Sequence, residues 1–440
     1  MRNEIKNNHR QLLGGLFYKV LFILVTSINA IIMIKILPPK ELGVWYIFMS
    51  LQTLVFILNN ALVPNLARQY SLGIVELKKD FNVRQFHAKT KTLYSSIVFL
   101  VFLSCIILTF FYLNDVVDIF SKNNSMLLYA WGVMIISMCF DIYYTSYECA
   151  LNGLGEFEKV NFASFISRLF LLVLSCGLMF FHSSFALLIF CCLYFCSNLL
   201  KRIILLTTFK RIFENSTLGI CKNTERFYVE CRRKIYHLSW LSLLSSIGGV
   251  LIVRGGMFIL PYYVSLERVG SYGVTYQLFE MGFNILFTIA IIKTPSWIMI
   301  YKEKTSPGLL LKSYQNTRLI ILCLMILGGC IIAFAGNWFL SILHVETKLL
   351  PTSICILFLI VFVLQINHSV SGQLLTIQNK IPFAYASLVT GFLVIIVSLF
   401  LIPHFGELGA ILSIFIAQVL YNNWKWPLEA KRFLKHECSQ

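Results

Sequence analysis

Long apolar stretches separated by short polar breaks run the length of the chain. Twelve of them, at 12–36, 43–66, 92–113, 126–149, 161–182, 184–200, 238–263, 271–299, 319–342, 349–371, 382–403 and 406–424, carry few charges. At about 1.5 Å of rise per residue, a stretch of about 20 residues crosses a hydrocarbon core of roughly 30 Å as a helix. A helix also satisfies its own backbone hydrogen bonds, which lipid cannot do. The pattern predicts an all-α integral membrane protein of about twelve transmembrane helices. The first stretch follows Arg2, Lys6 and Arg10 and has no small-residue cleavage site behind it, which predicts a retained helix and not a cleaved signal.

The polar breaks sort by charge. Counted break by break, 28 of the 37 Lys and Arg residues fall on the side that holds both termini, while the opposite side has only Lys40, Lys122, Arg268 and Lys348. Basic loops stay cytoplasmic, so both termini are expected there, in agreement with an even number of spans. This bias accounts for most of the net charge of +17 and removes nucleic acid as the expected partner. The longest polar stretch, 201–237, holds nine Lys and Arg residues and reads as a basic cytoplasmic linker. It divides an N-terminal six-helix lobe, 1–200, from a C-terminal six-helix lobe and tail, 238–440.

Composition agrees with a lipid environment, with 58% hydrophobic and 13% charged residues against roughly one quarter charged in a soluble domain. The 13 cysteines lack the paired spacing of a disulfide framework or a zinc site, so no metal is expected. Neither a phosphate-cradling loop, a zinc-protease helix nor a nucleophile elbow is present, and no enzyme or cofactor is expected.

A repeat underlies the pattern. Pro38 to Trp45 and Leu266 to Tyr272 are short charged hairpins between apolar stretches, and Gly43 aligns with Gly270 at an offset of 227. Lys159, Phe162 and Ala163 align with Lys380, Phe383 and Ala384 at the similar offset of 221. Unless short, composition-biased motifs coincide by chance, six spans between copies give two halves of the same orientation, a parallel repeat about an axis along the membrane normal.

Ionisable side chains deep in a span cost several kcal/mol unless they face a wet cavity or a partner, so they are the candidate site. Arg254 lies about 24 Å into span seven, and Lys19 and Arg168 each lie about 10 Å into spans one and five. All three are candidate substrate-binding residues. Arg254 precedes Gly255 and Gly256, which leave room beside a guanidinium whose fork suits two-point contact with phosphate oxygens. The competing reading of Arg254 is a structural pair with Glu280 or Asp141. Asp141 and Glu148, seven residues apart on one helical face, either neutralise the cations or carry a coupling proton or sodium ion, and Glu280 stands with them as a charge-balancing candidate. Asn59, Asn60 and Asn284 are polar enough either to face a cavity or to bond neighbouring helices.

The segment Ile36-Leu37-Pro38-Pro39-Lys40-Glu41-Leu42-Gly43-Val44-Trp45 resembles the first hairpin of the Wzx-type O-antigen and polysaccharide flippases, whose superfamily includes multidrug extruders. The resemblance extends through Ala67-Arg68, Leu151-Asn152-Gly153-Leu154-Gly155 and Gly406-Glu407-Leu408-Gly409-Ala410. It implies a multi-pass protein of the bacterial cytoplasmic (inner) membrane with two lobes in a V around a cationic cavity. Alternating access would move an undecaprenyl-pyrophosphate-linked oligosaccharide to the periplasmic leaflet, with proton or sodium coupling. The implied partners are that lipid-linked oligosaccharide, membrane lipids and polysaccharide assembly proteins. Two other expectations stand beside this one, a cation-coupled multidrug extruder and a membrane glycosyltransferase or O-antigen polymerase.

Overall fold

The computed structural model describes residues 2–77, 81–179, 185–212, 222–303, 307–378 and 382–439. Lys380 of the second sequence echo and residues 213–221 of the expected linker lie outside them. The described chain is helical throughout, in the order α1 (Arg2–Ile36), α2 (Pro39–Val55), α3 (Ile57–Leu77), α4 (Val83–Leu108), α5 (Asn114–Val117), α6 (Ser125–Gly153), α7 (Phe157–Leu178) and α8 (Ala186–Ile212). There follow α9 (Lys222–Ile259), α10 (Leu266–Glu303), α11 (Pro307–Ile342), α12 (Thr352–Leu375), α13 (Ala384–Phe405), α14 (Glu407–Leu420) and α15 (Asn422–Ser439). Among the described residues, 10 stretches are long and apolar enough to cross a membrane, or 11 when α2 and α3 count as one span bent by 45°.

Eleven of the twelve expected stretches are among these. The stretch expected at 406–424 forms α14, which has 14 residues and is about 21 Å long. That is short of a hydrocarbon core, and α15 begins after a break at Tyr421 with φ −142° and ψ −61°. The entry to α14 is a sharp turn at Gly406, whose φ of 53° suits a residue without a Cβ. The span expected at 184–200 continues as α8 to Ile212, so Lys201 and Arg202 sit on a helix and not in a linker.

The chain packs as two compact units. The first comprises Met1–Leu37 and Leu51–Leu243, the second Pro38–Ser50 and Leu244–Gln440. In the first unit α1 packs along α7, α6 along α8, and α4 along α6. Helix α4 runs through a π turn at Thr109–Leu113 into α5. Thr109 Oγ1 donates to the Cys105 carbonyl at 2.7 Å and accepts from the buried Trp131 Nε1 at 2.7 Å, so the hydroxyl serves backbone at the irregular turn and the indole holds the hydroxyl.

In the second unit α13 packs on α14, α10 on α11, and α12 on α15. Helices α9 and α13 approach at Gly248 and Gly391, where a Cβ on Gly248 would lie 2.2 Å from the Ser387 carbonyl carbon. Small residues let helix backbones approach closely in lipid, where burial of apolar surface gives no drive between helices. The two hairpins aligned in the sequence touch within this unit. A Cβ on Gly43 would lie 2.0 Å from the Leu266 carbonyl oxygen, and one on Gly270 would lie 2.8 Å from the Pro39 carbonyl oxygen.

Candidate functional site

Each unit holds one cluster of paired ionisable groups within its spans. In the first, the buried face of α8 runs Ser197, Asn198, Arg202, Leu205 and Phe209, a helical stripe on which Arg202 is 5% exposed. Arg202 Nε donates to Asp141 Oδ1 at 2.7 Å, and its Nη1 donates to Glu148 Oε2 at 2.7 Å. Lys201 Nζ lies 2.9 Å from the same Glu148 oxygen. Two cations therefore meet two carboxylates, and the guanidinium fork spans the two turns of α6 that separate Asp141 from Glu148. The cluster lines a cavity of about 430 Å³ together with Asn59, Asn60 and Pro64 of α3. Pro64 has no N–H, which leaves the Asn60 carbonyl without its helical donor on that wall. Asn59 Oδ1 is buried and has no hydrogen-bond partner among the described residues.

In the second unit, Arg254 on α9 has one carboxylate, with Nη2 donating to Glu280 Oε2 of α10 at 3.1 Å. Its guanidinium lies 5.3 Å from the centroid of the Tyr276 ring, a cation–π geometry. Its Nε–H is buried and lacks an acceptor among the described residues. Tyr46 packs against Gly273, where a Cβ would lie 2.2 Å from Tyr46 Cδ2, and its hydroxyl donates to Gln277 Oε1. Arg254 thus stands among tyrosines with donor capacity left over. At the start of α14, the buried Glu407 receives both arms of Arg268 from the second hairpin.

Each residue singled out by depth has a definite place. Asp141 and Glu148 come together, but with Arg202 and Lys201 and not with Arg254. Arg254 takes Glu280. Lys19, half-buried on α1, makes no ion pair among the described residues. Arg168 on α7 has its guanidinium 4.9 Å from the Tyr194 ring centroid and likewise has no described carboxylate partner. Neither Lys19 nor Arg168 belongs to the wall of the Arg202 cavity. The space expected beside Arg254 at Gly255 and Gly256 is used for packing, since a Cβ there would lie 2.9 Å from Ile395 Cδ1 and 3.2 Å from Ala410 Cβ.

Lys201, Arg202 and Arg318 are the groups that sequence reasoning missed. Arg318, just before the apolar stretch 319–342, lies within α11 and donates from Nε to Asn367 Oδ1 at 2.6 Å. A signal for Arg202 was present: Ile203, Ile204, Leu205 and Leu206 prolong the apolar stretch beyond the basic pair, and Asn198, Arg202, Leu205 and Phe209 keep helical spacing.

No family profile matches the chain, and no curated protein matches it. Solved structures do share its fold. A multidrug resistance MATE family transporter of the MOP superfamily, in an inward-facing conformation, superposes with a TM-score of 0.61 at 14% identity over 96% of each chain. The lipid II flippase MurJ, in an inward closed conformation, gives 0.63 at 12% identity over 97% of this chain and 91% of that one. A MOP superfamily transporter from Pyrococcus furiosus, described by the reverse polarity of its binding pocket, gives 0.58 at 10% identity over 98% and 96%. The chain has the all-α, multi-pass membrane fold of these transporters.

Proposed function

We propose that this chain is a transporter that flips a lipid-linked oligosaccharide, of the undecaprenyl-pyrophosphate O-antigen type, between leaflets of the bacterial inner membrane by alternating access. The observation that supports it is the balance of deep charge. Asp141, Glu148 and Glu280 are each held by a described cation, whereas Lys19 and Arg168 have no described carboxylate partner and Arg254 keeps a donor in reserve. The charge left over inside the spans is positive, and it suits a pyrophosphate. In this reading Lys19, Arg168 and Arg254 attract the anionic group, while Asp141, Glu148 and Glu280 balance charge. The likeness to a lipid II flippase agrees with a lipid-linked cargo.

The decisive experiment removes charge at Lys19, Arg168 and Arg254 together, with protein level unchanged. Translocation of the lipid-linked oligosaccharide falls by at least about a hundredfold, since hydrogen bonds to charged groups are each worth roughly 1.5–3 kcal/mol. Normal translocation rules the assignment out.

A cation-coupled multidrug extruder is the second reading. The likeness to MATE transporters and the two carboxylates on the Arg202 cavity wall favour it. A cationic drug would have to displace Arg202 and Lys201 from those carboxylates, which counts against it. Increased drug sensitivity in a deletion strain whose oligosaccharide translocation is intact would establish this reading over the first.

A further inference from the structure

A second cavity, of about 270 Å³, lies within the second unit among α9, α10, α12, α13, α14 and α15, apart from the Arg254 cluster. Its described lining contains no Lys, Arg, Asp or Glu residue. It is instead rich in amides and hydroxyls, with Gln365, Gln373 and Gln418 among them, and includes the rings of Trp426 and Phe383.

The amides at its base are held in a chain. Trp426 Nε1 donates to Asn422 Oδ1 at 3.0 Å, and Asn422 Nδ2 donates to Thr390 Oγ1 at 3.1 Å. Gln373 Nε2 donates to Thr294 Oγ1 at 3.0 Å. What remains open is mostly acceptor. Gln418 is 2% exposed, and its Oε1 has no hydrogen-bond partner among the described residues. His368 Nδ1 lies 2.9 Å from Asn423 Oδ1, an acceptor, so the proton of a neutral imidazole sits on Nδ1 and Nε2 is left as an acceptor. A buried acceptor without a partner costs free energy that an O–H donor recovers.

We infer that this cavity binds one ring of a neutral sugar, its hydroxyls donating to Gln418 and His368 and its C–H face lying on Trp426. The volume, just below the usual range of roughly 300–1,000 Å³ for small-ligand pockets, fits a single ring and not an oligosaccharide. The absence of charge from the described lining disfavours an ion or a phosphate, and the amides disfavour an acyl chain. The Trp426 ring meets Phe383 edge to face at 6.1 Å, which fixes the aromatic wall. The inference rests on the proposed lipid-linked cargo only for the natural source of the sugar.

The test is saturation-transfer NMR on the full-length protein in nanodiscs. The probes are free methyl glycosides of glucose, galactose, rhamnose and N-acetylglucosamine, with methyl glucuronide as the charged control. At least one neutral glycoside receives saturation, strongest at its ring C–H protons, and Gln418→Leu weakens its binding about tenfold. If Gln418→Leu fails to fold, Gln365→Leu on the half-buried rim carries the same expectation. The inference is overturned if no neutral glycoside receives saturation, as for a cavity holding water alone, or if binding is unchanged in the folded variants. It is also overturned if sodium chloride, compared with choline chloride, raises the melting temperature in a Gln418-dependent way, because the site would then be a cation site. Translocation that is insensitive to Lys19, Arg168 and Arg254 refutes the cargo reading and leaves the glycoside result untouched, so the two failures are distinct.

Discussion

Arg202 in the first unit and Arg254 in the second each hold a guanidinium inside a span, but in different company. Arg202 donates to two carboxylates that also share Lys201, whereas Arg254 donates to one carboxylate, faces a tyrosine ring and leaves its Nε–H unused. A guanidinium with every strong acceptor in place is a structural element, since removing any member exposes an uncompensated charge. One with donors in reserve can take up an incoming anion without first breaking its own bonds. Depth in a span does not distinguish the two, because both are deep. The number of carboxylates around each does.

The largest effect expected from breaking this contrast is at Arg202. Arg202→Leu leaves Asp141 without a described cation and Glu148 with only Lys201, and loss of one partner from a buried pair costs about 3–5 kcal/mol. It is read as a lowered melting temperature in detergent or a loss of monodisperse protein. Adding Asp141→Leu and Glu148→Gln to Arg202→Leu restores most of the stability, because no unpaired carboxylate remains. If Arg202→Leu melts like the parent, the cluster is not structural and the comparison fails.

Next in size is Arg254. Arg254→Leu reduces translocation about thirtyfold, equivalent to roughly 2 kcal/mol for a charge-assisted contact. It lowers the melting temperature less than Arg202→Leu does, since only Glu280 loses a partner. Arg254→Lys restores part of the activity, because a point charge replaces the charge but not the fork. A melting loss at Arg254 as large as that at Arg202, with translocation unaffected, would reverse the roles assigned to the two clusters.

The helical membrane fold was legible because apolar stretches of spanning length have few alternatives in lipid. The stretch at 406–424 is equally apolar, but the break at Tyr421, which ends α14 and starts α15, depends on backbone geometry and not on hydropathy. Depth pointed to Lys19, Asp141, Arg168 and Arg254 and left the partner of Arg254 open between Glu280 and Asp141; the fold pairs it with Glu280 and gives Asp141 and Glu148 to Arg202, since pairing depends on which helices become neighbours. Arg202 was missed for a related reason: two adjacent basic residues look like the end of a span when only charge is counted. On α8 they point in different directions, and Arg202 lies on the buried stripe between Asn198 and Leu205. The touching hairpin glycines were legible as an echo in sequence, while their contact required the fold.

The smallest and most discriminating effect is expected from removing one charge from each cluster without removing its shape. Glu280→Gln keeps an acceptor oxygen for Arg254 Nη2 but withdraws the negative charge that competes with an incoming anion. Binding of a pyrophosphate-bearing lipid to the variant is expected to tighten about three- to tenfold, the range of roughly 0.6–1.4 kcal/mol for a screened pair in a part-wet site. The matching change in the first unit, Glu148→Gln, leaves two cations facing one carboxylate, Asp141, so it lowers the melting temperature while leaving lipid affinity nearly unchanged. Isothermal titration with the lipid, set beside thermal melting of both variants, reads the two effects separately. Weaker binding in Glu280→Gln would mean that Glu280 holds Arg254 in its binding geometry more than it competes with the ligand, and the reserve of donors on Arg254 could not then be counted as capacity for cargo.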